Sequence, residues 1–323
     1  MNGGVLPPPL QPFIPPSISF EAAEEHIAEA MSRAGRGGLL WITDLPLDAP
    51  FASLQAVFDD VHTFGARRSL YPKAFALKDN TSGAVGDDQK RVLDLNPQRL
   101  LEAQQALQAS DVDPVHRAFE ETVAFWHAMS TTVAPKLRAA VASAASSDTI
   151  AHDDHFDFRM VDYFEKPWAR TEDTEGPPPR CRAHRDFGSF TLIYAQAAGL
   201  QAEVEAEDAA ASDLRGRRAW RDVAVCAPRA ALLLFGWCTE IRSNGRLHAV
   251  QHRVIDEPGP RERASRRTSA VFFVSPHDMQ APLHPVVLDG EAVQYVDGVS
   301  AEAQQMYSMN PLARAKMGLA RAD

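Results

Sequence analysis

At 323 residues, 45% hydrophobic and 24% charged, the chain has the composition of a globular protein able to bury a substantial core. A formal net charge of −10 argues against a nucleic-acid partner, which needs a basic footprint. Cys181, Cys226 and Cys238 lack zinc-ligand spacing and are odd in number, which argues against a disulfide framework. The N-terminus lacks a basic run leading into an apolar segment, and no stretch of about 18 apolar residues occurs. The expectation is a soluble, cytoplasmic protein with no membrane partner, monomeric or homo-oligomeric.

In chain order, residues 1–18 are proline-rich and expected to be extended. Ser19 can cap a helix running to Ala34, which Gly35–Gly38 ends, and Leu39–Ile42 reads as a buried strand. A second helix over 50–64 carries Leu54, Val57, Phe58 and Val61 at helical spacing. Residues 65–97 read as an irregular, charged stretch that includes Arg67, Arg68 and Lys90. Helices follow over 97–108 and 113–146, and Pro135 should kink or break the second.

From Phe156 the texture changes to short apolar or alternating runs between turn residues. These runs, at 158–164, 189–195, 200–205, 220–225, 230–235, 247–254 and 268–274, suit a double-stranded β-helix, or jelly roll. The expected class is therefore α+β, mainly β. A helical N-terminal region (1–150) would pack on a jelly-roll core (151–283), with a C-terminal lid or tail (284–323).

Chemistry concentrates in the stretch His184–Ile193, which reads as a strand. Residues two apart in a strand share a face, so His184 and Asp186 can converge while Arg185 points away. One imidazole and one carboxylate are two thirds of the facial triad that holds non-haem Fe(II). A later strand offers His248 and His252 for the third place. Arg267 and Ser269, again two apart, open an apolar strand and can hold a carboxylate through the planar guanidinium fork. A second His-x-Asp, His155-Phe156-Asp157, reads as part of a solvated loop that ends a helix.

The order His-x-Asp, long gap, His, then Arg-x-Ser resembles the isopenicillin N synthase-like family of Fe(II)/2-oxoglutarate oxygenases. Residues 245–254 resemble the family segment ending in a ligand His-Arg-Val, which selects His252. Around 156–295, Asp162-Tyr163-Phe164, Leu200–Val204, Arg267–Phe273 and Leu288–Glu291 resemble the cephalosporin ring-expanding branch (deacetoxycephalosporin C synthase). The resemblance implies Fe(II) on His184, Asp186 and His252, and 2-oxoglutarate held by Arg267, Ser269 and Tyr163. It further implies ascorbate as activity support, and O2 consumed with decarboxylation to succinate to give a ferryl oxidant. A small-molecule substrate, expected in specialised metabolism, would then be hydroxylated, desaturated or rearranged.

The substrate pocket is expected to draw on Arg67, Arg68, Arg159, Met160, Asp162, Ile193, Phe235 and Val254. In the ring-expanding branch two arginines occupy the positions of Met160 and Asp162. If both line the pocket here, Asp162 would repel a substrate carboxylate. Two alternatives stay open: an oxidase of the same family that uses no 2-oxo acid, and an inactive binding protein on the same fold.

Overall fold

The computed structural model describes residues 12–63, 78–79, 90–96, 105, 113–163, 166–167, 180–205, 218–225, 228–255, 263–264 and 266–303. Its strands in chain order are β1 (Ser17–Ser19), β2 (Leu39–Thr43), β3 (Lys78–Asp79), β4 (Arg91–Leu95) and β5 (His155–Tyr163). They continue with β6 (Lys166–Pro167), β7 (Cys181–His184), β8 (Phe190–Ala195), β9 (Leu200–Glu205) and β10 (Arg218–Asp222). The last four are β11 (Ala231–Phe235), β12 (His252–Val254), β13 (Arg263–Ala264) and β14 (Arg267–Ser275). The helices are α1 (Glu24–Ala34), α2 (Phe51–Thr63), α3 (Asp113–Ala128), α4 (Ala134–Ala145) and α5 (Trp237–Arg242).

Eight strands form one sheet in the order β1-β2-β11-β8-β14-β5-β4-β3, and β10-β9-β12-β7 form a second. Short strands β6 and β13 pair separately. The two larger sheets face each other as the halves of a jelly roll. Strands β2, β8 and β11 of the large sheet are buried on both sides, which is why they read as near-continuous apolar runs. Phe158, Met160, Leu192, Leu233, Phe235 and Phe272 face α1, α3 and α4 in one core. Val161, Tyr163, Ile193, Leu232 and Leu234 turn the other way and meet Leu200, Ala202, Val204 and Val254 of the small sheet. Phe272 has no exposed surface, and truncating such a side chain to Ala costs about 3–5 kcal/mol.

Several expectations shift. Ser19 ends β1 rather than capping α1, which starts at Glu24 behind an uncapped Ala23. The long helix breaks as expected near Pro135, through a π-helical turn at Met129–Val133 that separates α3 from α4. The missing N–H and ring clash of proline force such an adjustment in the preceding turn. Strand β4 lies in the stretch expected to be irregular, because five residues flanked by charges carry too little pattern to register. His155 and Asp157 begin β5 rather than sit in a loop. Only 252–254 of the expected strand 247–254 is extended, since the segment before it bonds elsewhere, His248 N–H to the Gly35 carbonyl for example. The expected helix over 97–108 lies outside the described residues, apart from residue 105. Residues 284–303, the described part of the C-terminal segment, are mostly irregular, and Tyr295 and Ala301, with Leu283 just before them, cluster with Trp237, Cys238 and Ile241 of α5. Among the described residues no helix is long and apolar enough to cross a membrane.

Candidate metal and anion site

The site is built on the edge of the small sheet. His184 of β7 lies directly opposite His252 of β12, so the backbone ladder sets the spacing of the two imidazoles. Val254 pairs with Cys181, so two steps along β12 match three along β7. That extra residue is a β-bulge, and it brings Cys181 and His184 to the same cavity despite their odd spacing. The chain leaves β7 at His184 and turns before β8, so Asp186 is not an i, i+2 strand partner as the spacing suggests. It is aimed by the turn, where the Asp186 carbonyl accepts the Trp237 N–H at 2.8 Å. Gly236 and Gly188 touch backbone to backbone here, and a Cβ on Gly236 would collide with the Gly188 carbonyl oxygen.

The ligand atoms of His184, Asp186 and His252 all lie within 4.8 Å of one another. Nε2 of His184 is 3.6 Å from Asp186 Oδ1 and Nε2 of His252 is 3.9 Å from the same oxygen. Each Nδ1 instead faces a backbone carbonyl, that of Arg182 at 2.8 Å and that of Val250 at 3.3 Å. Nδ1–H then donates to each carbonyl, which leaves both Nε2 lone pairs aimed at the point beside Asp186. Asp186 is 7% exposed, and its Oδ2 has no hydrogen-bond partner among the described residues. A buried carboxylate oxygen without a donor is costly unless a cation sits there, so these residues fit a divalent metal. Two imidazoles and one carboxylate on one face are the donor set that suits Fe(II).

Protonation follows the same geometry. Burial lowers the pKa of His252, which keeps its imidazole neutral at physiological pH. Burial alone would lower that of His184 too, but Cys181 and the Asp186 carboxylate outweigh it and push the group up to about 9. Burial would raise the Cys181 thiol, yet His184 and the Lys90 ammonium, 2.9 Å from Sγ, bring it below the ordinary value. The pattern marks a locus where positive charge is favoured beside Asp186.

Arg267 lines the same cavity and is 3% exposed. Its Nε donates to the carbonyls of Ala197 and Ala198 at 3.0 Å each, and Nη1 to Ser269 Oγ at 2.5 Å. Nη2 has no partner among the described residues. The guanidinium lies 5.3 Å from the Tyr163 ring, and burial lowers its pKa. A fixed, buried cation whose Nη2 amino group is left over is fitted to receive a carboxylate.

The cavity thus unites His184, Asp186, His252, Arg267, Ser269, Tyr163, Arg159, Ile193 and Val254. Met160, Asp162 and Phe235 do not belong to it. Strand parity puts 159, 161 and 163 toward the cavity and 160 and 162 away. Met160 and Phe235 lie in the core under the helices, and Asp162 is fully buried against Arg266, 2.8 Å from its Nε. The idea that Asp162 repels a substrate carboxylate therefore falls. Arg67 and Arg68 lie outside the described residues. His155 and Asp157 bond to each other at 3.2 Å, and His248 pairs with Glu240 at 3.1 Å, so neither motif reaches the site. Sequence reasoning missed Lys90 and Cys181 as cavity residues. A bulge leaves no mark in period-2 spacing, and Lys90 was one charge among many in its stretch.

No family model matches the chain, and no curated protein is similar to it in sequence. Solved structures do share its architecture. A full-length Neurospora crassa protein in complex with alpha-KG superposes with a TM-score of 0.63 at 16% identity, covering 94% of this chain and 96% of that one. Rice DAO, a dioxygenase for auxin oxidation, gives 0.60 at 19% identity over 95% and 97%. JOX2, in complex with 2OG, Fe and JA, gives 0.59 at 17% identity over 91% and 85%. The chain shares the mainly-β jelly-roll fold of these structures, and it brings a His-Asp-His cluster and a buried arginine to one cavity.

Proposed function

We propose that this protein is an Fe(II)- and 2-oxoglutarate-dependent oxygenase of a small molecule. The observation that carries the reading is one cavity lined by both a metal-competent trio and the buried Arg267 guanidinium. His184, Asp186 and His252 would hold the metal on one face, leaving the opposite face open. Arg267 and Ser269 would fix the distal carboxylate of 2-oxoglutarate, with the Tyr163 ring beside the guanidinium. Bound there, Fe(II) supplies oxidative decarboxylation of the 2-oxo acid by O2 to succinate and CO2, coupled to oxidation of a substrate C–H bond. The protein's own part is orientation and exclusion of water, which Ile193, Val254 and Phe273 serve as apolar walls.

The fold neighbours support the reading, having been solved with alpha-KG, with thymine, or with 2OG, Fe and JA. The likeness of residues 156–295 to the ring-expanding branch rests on sequence motifs, and we assign no ring expansion. Adding Fe(II) and 2-oxoglutarate without O2 should give the visible charge-transfer absorption of a chelated 2-oxo acid. Admitting O2 should release succinate. Metal binding with neither signal would refute the reading and favour an oxidase whose own substrate carboxylate meets Arg267.

A further inference from the structure

One buried carboxylate lies just behind the site and takes no part in the cavity. Glu240, on α5, is 5% exposed. Its Oε2 accepts the Ala249 N–H at 2.6 Å and pairs with His248 Nδ1 at 3.1 Å. Its Oε1 accepts the Tyr295 hydroxyl and faces Arg185 Nη1 at 3.9 Å. Burial alone would raise its pKa, but His248, Tyr295 and Arg185 outweigh that and hold it below the ordinary carboxylate value.

These partners are not scattered. Arg185 stands between His184 and Asp186, and its guanidinium lies 5.7 Å from the Trp237 ring. Trp237 in turn donates its backbone N–H to the Asp186 carbonyl. His248 and Ala249 lead directly into Val250, whose carbonyl faces His252 Nδ1. Both ligand-bearing segments therefore meet on one side chain that no ligand touches. A buried charge with this many donors is an expensive arrangement to fold, and plain packing would be met by an apolar residue of similar volume.

We propose that Glu240 is a positioning residue for the metal centre, fixing the His184–Asp186 turn through Arg185 and the approach to His252 through His248 and Ala249. The inference rests on the triad being the metal site. Partners of this kind, one step behind the ligands, typically change metal affinity by about tenfold to a hundredfold when removed.

The test is titration of the full-length protein with Co(II), whose ligand-field spectrum reports coordination geometry. Wild type, Glu240→Gln and Glu240→Ala are compared. We expect Glu240→Ala to weaken Co(II) binding about tenfold to a hundredfold and to shift the spectrum even at saturation, which a loss of stability alone would not do. Glu240→Gln keeps an acceptor for the Ala249 N–H and loses the charge, so it should fall between the two. Unchanged affinity and spectrum in both variants would overturn the proposal. If Glu240→Ala fails to fold, the isosteric Gln variant decides, and wild-type behaviour there overturns it equally. Wild type that binds no Co(II) would instead overturn the metal reading itself.

Discussion

Replacing Arg267 by Leu removes a buried cation that lines the same cavity as the trio. Its Nε and one Nη1–H are committed to Ala197, Ala198 and Ser269, so the Nη2 group is left to donate to an anion. One charge-assisted hydrogen bond contributes roughly 1.5–3 kcal/mol. At about 1.4 kcal/mol per decade, the 2-oxoglutarate Kd should rise about tenfold to a hundredfold. The fold should tolerate the change, because losing two carbonyl contacts is offset by losing a buried charge. Calorimetric titration of the Mn(II)-loaded protein with 2-oxoglutarate, and with a 2-oxo acid lacking the distal carboxylate, isolates the effect. Wild type should strongly prefer the dicarboxylate, and the Leu variant should lose that preference while binding the monocarboxylate as before. A folded Leu variant with its preference intact would refute the role given to Arg267.

Asp186→Ala removes the only anionic member of the trio and should abolish stoichiometric Fe(II) by metal analysis, while Asp157→Ala leaves it unchanged. Asp162→Asn should lower thermal stability by about 1–3 kcal/mol, the range for an uncompensated buried polar group, with no change in 2-oxoglutarate affinity. Arg266 keeps Asp59 at 3.0 Å in that variant, which limits the damage. Protons compete with metal at His184, whose pKa is pushed up to about 9. Apparent metal affinity should therefore climb as pH is raised toward that value and flatten above it, and a profile falling over the same range would contradict the assignment.

The site was legible where chemistry depends on residue type and order. His184, Asp186, His252, Arg267 and Ser269 are ordered along the chain as their roles demand, and the structure brings all five to one cavity. What was lost depended on parity and on turns. Arg159 cannot share a strand face with Met160 and Asp162, so an expected substrate pocket containing all three conflicted with period-2 alternation from the start. The signal was present in β5, where Phe156, Phe158 and Met160 alternate with His155, Asp157 and Arg159 and so mark opposite faces. The approach of Asp186 comes from a Gly188–Gly236 contact between segments about fifty residues apart, which no local pattern records.

The bulge in β7 bears on how the protein reaches its working state. His184 sits on an edge strand of four residues that is paired on one side only, to β12. Short edge pairings are where alternative registers compete, and a slip of one residue would present Ala183 or Arg185 opposite His252. Such a molecule would keep most of both hydrophobic cores, since Cys181 is the one residue of β7 that belongs to either, and would pass as native by size and secondary structure. A metal ion held by both His184 and His252 would be compatible with one register alone. Metal present during synthesis would then act as a proofreading template, and protein refolded without it would carry a fraction that no later addition of metal restores quickly.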